Sequence, residues 1–165
     1  MLRREPLSEH LVRLFLGDVT GPDAFVSTGV LDEWVGLVVP GQFQSRYYTV
    51  RSWDGVELVL DVVVHEEGLV TEWASHDCVG DRVTLSEPKG SFAMPDDAGW
   101  LLLVGDLTAM PAMARIAESV TVPTRIWAEV PDELPGYLPD RATVTWLEPP
   151  GGDGSRLAEV AYRID

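Results

Sequence analysis

Along the first half of the chain, apolar and polar positions alternate in short bursts separated by turn residues. His10–Gly17, Trp34–Val39, Arg46–Trp53 and Val56–Val64 read as strands, and Gly80–Pro88 reads as another closed by proline. Asp54-Gly55 between two of these runs predicts a hairpin. Gly68–His76 predicts a short helix within the run. Short strands with turns between them predict an antiparallel Greek-key sheet closed into a β-barrel.

From Trp100 the pattern changes. Trp100–Asp106 is continuously apolar, as a parallel strand covered on both faces requires. Thr108–Val120 follows as a helix with Thr108 placed to cap it, and Pro111 is compatible with a first turn. Thr124–Val130 and Ala142–Glu148 predict two further strands, so this half is a parallel α/β unit. The boundary falls in Met94–Gly99, giving a β domain over 1–95 and an α/β unit over 96–165. Pro149–Ser155 is a break before a last short element.

Composition adds limits. A chain of 165 residues with 45% hydrophobic and 24% charged residues is a soluble globular type. No apolar run approaches the roughly 20 residues that span a bilayer, and Met1–His10 lacks the apolar core of a secretory signal. The single cysteine, Cys78, rules out an intrachain disulfide and makes a reducing cytoplasm the default location. The formal net charge is −15, with Lys89 the lone lysine, so nucleic acid and anionic membranes are poor partners.

Candidate chemistry centres on Arg46-Tyr47-Tyr48-Thr49. In a strand, Arg46 and Tyr48 share a face, where a guanidinium can grip a phosphate and a phenol can support a flat ring. An exposed arginine beside a core tyrosine would give the same letters. A helix beginning near Gly68 offers free amides to an anion, with Thr71 adding a hydroxyl. Gly105–Ala112 ends a buried strand and opens a helix, where α/β sheets bind ligands, although Gly-x-Gly-x-x-Gly is absent. Asp106 there reads equally as a helix cap. His65, Glu66, His76, Asp77 and Cys78 lack the paired spacing of a metal site, so no metal is expected. No serine lies in a Gly-x-Ser-x-Gly elbow.

Arg46-x-Tyr48-Thr49 resembles the flavin motif of ferredoxin reductase-like proteins. The longer string through Asp61–His65, Gly68–Ala74, Gly80–Val83 and Pro88-x-Gly90 is similar to the siderophore-interacting proteins, flavin-dependent ferric-siderophore reductases. Leu101–Ile116 resembles the segment that opens their nicotinamide domain. This resemblance implies a ferredoxin reductase-like FAD domain followed by a nicotinamide unit. It implies FAD, with Arg46 on the pyrophosphate, Tyr48 stacked on the isoalloxazine and Thr49 at its reactive edge, Tyr48 and Thr49 being the catalytic candidates. Val64, His65, Gly68, Leu69, Val70 and Thr71 would cradle the dinucleotide, and Gly105, Asp106, Thr108 and Ala109 would meet NAD(P)H. The family commonly has Gly-Pro-Ala where this chain has Gly68-Leu69-Val70. It also continues past this chain's end, so the α/β unit reads as shortened at the C-terminus and NAD(P)H use stays open.

Three functions follow. The first is an FAD-dependent oxidoreductase passing electrons from NAD(P)H to an iron-siderophore. The second is a recruited barrel cyclising or rearranging a natural-product intermediate in biosynthesis, with FAD structural, redox or lost. The third is a non-catalytic flavin- or partner-binding module, whose open sheet edge a homodimer would cover.

Overall fold

The structure is a computed structural model and describes residues 1–19, 24–64, 68–150 and 154–162. The chain forms two compact units, Met1–Ala93 and Met94–Asp165.

The first unit holds β1 (Arg3–Pro6), β2 (Leu11–Leu16), β3 (Trp34–Val38), β4 (Arg46–Trp53), β5 (Leu58–Val63), α1 (Leu69–Ser75) and β6 (Thr84–Leu85). The strands pair antiparallel in the order β1-β2-β5-β4-β3-β6. β3, β4 and β5 run as consecutive hairpins while β2 lies beside β5, which is Greek-key connectivity. Period-2 alternation sends Val12, Leu14 and Leu16, then Val35 and Leu37, then Val50, then Leu58, Leu60 and Val62 into one core, roofed by Val70 and Ala74 of α1. The other face of β5 is covered too: Asp61 is 3% exposed and paired with its cross-strand neighbour Arg13 at 2.7 and 2.8 Å.

The β4–β5 hairpin forms at the expected Asp54-Gly55. Asp54 Oδ1 accepts the amides of Val56 at 2.8 Å and Glu57 at 2.7 Å, so β5 begins only at Leu58. A bulge falls between Val50 and Ser52.

The expected closed barrel does not form. Among the described residues β1 and β6 do not pair, and the sheet stays open. β6 has only 2 residues in place of the strand expected over Gly80–Pro88. The segment before it turns instead to Met1, whose carbonyl accepts from Gly80 N at 2.9 Å and whose ammonium donates to Asp81 O at 2.8 Å. Asp81 also accepts from Trp73 Nε1 at 2.8 Å, which fixes the segment as a loop.

The second unit holds β7 (Leu101–Asp106), α2 (Met110–Ser119), β8 (Thr124–Glu129), β9 (Thr143–Leu147) and α3 (Leu157–Ala161). The strands pair parallel in the order β7-β8-β9, as the strand–helix–strand layout predicts. α2 buries Met110, Met113, Ala114, Ile116 and Ala117. Its last turn is closed by Arg141, which donates to Ala117 O at 3.0 and 2.6 Å. Thr108 is not the cap: the N-cap is Ala109, and the Thr108 amide and hydroxyl both donate to Asp106.

Candidate functional site

The register of β3 against β4 decides which way each residue of the motif points. Arg46 pairs with Leu37 and Tyr48 with Val35, and both partners are 0% exposed. Arg46, Tyr48 and the core residue Val50 therefore share one face of β4. Tyr48 is half-buried against the core, while Arg46, at the open end of the strand, is exposed. Burial pushes the Tyr48 phenol up to about 12, against the pull of the Arg46 guanidinium beside it. The ring is thus held in its neutral form, which suits stacking.

Arg46 makes only long contacts, to Gln44 Oε1 at 3.4 Å and Ser45 O at 3.3 Å, and pairs with no carboxylate among the described residues. An exposed guanidinium with most of its donors unused is ready for a bidentate anion. Thr49 pairs with Trp34 and points to the opposite face with Tyr47.

Because β4 and β5 run antiparallel, the start of β4 and the end of β5 lie at the same end of the sheet. Val64 follows β5 there, half-buried, with its amide bonded to His10 O at 2.8 Å. The chain then enters α1, so the fold brings Arg46, Tyr48, Val64 and Gly68–Thr71 to one end. His65, Glu66 and Glu67 fall outside the described residues. Gly68 is the N-cap with φ 147° and no side-chain cap, a conformation open to glycine and strained for other residues. Leu69 is exposed, whereas Val70 is 2% exposed and belongs to the core. The Thr71 hydroxyl is not free: it is buried and donates to Val63 O at 3.3 Å.

Cys78 is buried, and burial pushes its thiol up, which makes it a packing residue and not a nucleophile. His76 is exposed, with Nδ1 2.6 Å from Glu72 O.

In the second unit the candidates gather at the carboxyl end of β7. A Cβ on Gly105 would lie 2.5 Å from Ala109 Cβ, so only glycine lets the turn fold this tightly onto its own strand. Asp106 Oδ1 accepts from Thr108 N at 2.9 Å and Thr108 Oγ1 at 2.6 Å, tying off the turn. Sequence reasoning passed over Glu129 at the end of β8. It is 5% exposed and accepts from Ser155 Oγ at 2.6 Å and Arg156 N at 2.7 Å. The signal was an acidic residue following the apolar Ile126-Trp127-Ala128 of a strand.

Comparison with known proteins supplies the frame. Residues 3–92 match the model of the siderophore-interacting FAD-binding domain, and residues 98–165 match that of the siderophore-interacting protein. An uncharacterised protein of Mycobacterium tuberculosis is 31% identical over 173 residues, covering 86% of this chain and 61% of the relative. The NADPH-dependent ferric-chelate reductase of Escherichia coli is 36% identical over 105 residues, 61% of this chain and 40% of that protein. The crystal structure of a siderophore utilization protein from T. fusca superposes with a TM-score of 0.81 at 26% identity, covering 99% of this chain and 74% of that one. The chain thus spans about 61% of the length of the curated relative it matches over most of its residues. Neither the relatives nor the fold supports natural-product cyclisation or a non-catalytic module. With the half-buried phenol and exposed guanidinium of β4 inside the matched domain, the chain belongs to the siderophore-interacting FAD-binding family.

Proposed function

We propose that the chain is a flavin-dependent oxidoreductase that takes electrons from NAD(P)H and delivers them to ferric iron held by a siderophore. The observation that carries this reading is the Arg46 guanidinium, exposed and without a carboxylate partner among the described residues, on the same face as the half-buried Tyr48 ring. A pyrophosphate and a flat ring system are what that pair fits. FAD, when bound, supplies the coupling between a two-electron nicotinamide donor and a one-electron ferric acceptor.

The chain's own residues do the rest. Arg46 holds the pyrophosphate through paired charged hydrogen bonds, and Tyr48 supports the ring system with a face kept neutral by burial. Thr49 points to the other side of β4, away from Arg46 and Tyr48, so its role at the reactive edge rests on the resemblance alone. Val64, Gly68, Leu69, Val70 and Thr71 line the neighbouring end through backbone groups, since the Val70 side chain and the Thr71 hydroxyl are used internally. His65 belongs to the same segment. In the second unit Gly105, Asp106, Thr108 and Ala109 receive NAD(P)H, with Gly105 letting the turn fold tightly onto its strand.

Anaerobic mixing of the FAD-loaded chain with NADH and with NADPH tests the reading. One of them is expected to bleach the flavin absorbance. Bleaching by dithionite but by neither nicotinamide would overturn the donor assignment.

A further inference from the structure

A strand at the edge of a sheet offers unpaired backbone groups to any other strand, and folded chains blunt such edges with charge, proline, brevity or cover. Among the described residues, three of the four sheet edges are blunted. β1 is Arg3-Arg4-Glu5-Pro6, and β6 is 2 residues long. β9 exposes Thr143 and Thr145 and is followed by Glu148 and a pair of prolines. The remaining edge, β7, runs Leu101-Leu102-Leu103-Val104-Gly105-Asp106, apolar at the start and uncharged until its last residue. Leu101, Leu102 and Leu103 are half-buried, Val104 is 37% exposed, and Trp100 just before them is 59% exposed. In the neighbouring β8, by contrast, Ile126 and Ala128 are fully buried.

The backbone of β7 shows which groups are left over. Leu101 N donates to Pro123 O at 2.9 Å, so Leu101, Leu103 and Gly105 turn their amides and carbonyls toward β8. Leu102, Val104 and Asp106 alternate with them and turn theirs to the free edge. The Asp106 carbonyl is taken by Ala109 N at 3.0 Å. The N–H and C=O of Leu102 and Val104 meet no partner among the described residues. α2 and α3 both pack on β7, yet neither takes any of these groups.

We propose that the free edge of β7 pairs with β7 of a second copy of this chain, antiparallel about a two-fold axis at Leu103. The strand is complementary to itself in that register. Leu102 falls opposite Val104 of the second copy, and Val104 opposite its Leu102, so the unspent amides and carbonyls of both copies bond one another. The same register brings apolar side chains together on both faces, Leu103 against Leu103 and Leu102 against Val104. Asp106, the one charge of the strand, meets the uncharged Trp100 of the second copy instead of its own image. The two parallel sheets become one, in the order β9-β8-β7-β7-β8-β9. A joint of one strand pair is small, so association in the micromolar range is expected, opposed by the net charge of −15 on each copy. The dimer is independent of the flavin reading.

Sedimentation velocity of the full chain, across micromolar concentrations and from low to high salt, tests it. The parent should pass from the 18.1 kDa of one chain to twice that mass as concentration rises, and more readily at high salt, where the like charges are screened. Val104→Lys sets a charge at the joint, and Leu102→Pro removes an amide that β8 does not use. Each should weaken dimerisation at least about tenfold. Thr145→Lys, on the opposite edge of the sheet, should leave it unchanged. Amide hydrogen exchange gives a readout that needs no variant: Leu102 and Val104 should exchange more slowly as the parent dimerises. A parent that stays monomeric throughout, a dimer that Thr145→Lys weakens and Val104→Lys does not, or exchange at Leu102 and Val104 that ignores concentration would overturn the proposal.

Discussion

At the open end of β4, Arg46 has, among the described residues, only contacts of 3.3 and 3.4 Å to neutral oxygens, whereas at the carboxyl edge of the parallel sheet Asp106 and Glu129 are each bonded twice by the chain itself. Both regions lie where their folds present ligands, yet they prepare for them differently. The antiparallel unit leaves a charged donor unspent, so an anion that arrives there finds a partner without breaking an existing contact. In the α/β unit the polar side chains are satisfied internally and the surface is shaped by the missing side chain of Gly105. On the proposed reading, recognition in the first is electrostatic and local to one residue, and in the second it depends on backbone shape.

Substitutions separate these two modes. The largest effect is expected from Arg46→Ala, which should weaken FAD binding by about 1.5–3 kcal/mol in a fluorescence titration because a hydrogen bond to a charged group is lost. Thermal stability should barely move, since Arg46 pairs with no described carboxylate. An unchanged FAD affinity would remove the contrast between the units. Next comes Gly105→Ala, whose new methyl would meet Ala109 at 2.5 Å. A loss of about 1–3 kcal/mol in denaturant unfolding is expected from overpacking, with FAD affinity held.

Glu129→Gln should cost about 1 kcal/mol, because one buried charged acceptor becomes neutral while the shape is kept. Limited proteolysis after residue 150 checks it, and the variant should be cut faster. The smallest effect concerns acid. Partial burial opposes ionisation of Asp32, but the Phe92 and Ser91 amides and the Ser91 hydroxyl outweigh it and hold the carboxyl below its ordinary range. A depressed folded pKa adds stability that is complete above the unfolded value, about 4, and is lost as pH falls through the folded one. Asp32→Asn should therefore lower the neutral plateau of a melting-temperature profile and flatten its acid limb below about pH 4. An acid limb identical to the parent's would deny the carboxylate that role.

How far the sequence announced these features follows from the range of the interactions involved. β4 was readable to the residue because its aromatic and β-branched letters end at Asp54, whose side chain makes the turn. The shared face of Arg46 and Tyr48 follows from period-2 alternation alone. β1 went unseen because Arg3–Pro6 has no apolar letter, and its strand exists only by pairing with β2. Barrel closure was overestimated because Gly80–Pro88 alternates well, while the contacts of Met1 with Gly80 and Asp81 that divert it are long-range. The Thr108 cap was misread because Asp106, two residues earlier, competes for the same hydroxyl. That β7 is an edge of the parallel sheet needs the strand order, which no local pattern encodes.

The central claim is that the antiparallel unit grips FAD through Arg46 and Tyr48. Titrating FAD into the flavin-free full chain while recording the flavin absorption spectrum tests it most directly. One equivalent should bind, with the visible bands sharpened and shifted as the ring leaves water for the Tyr48 face. A spectrum that stays superimposable on that of free FAD throughout the titration would contradict the account.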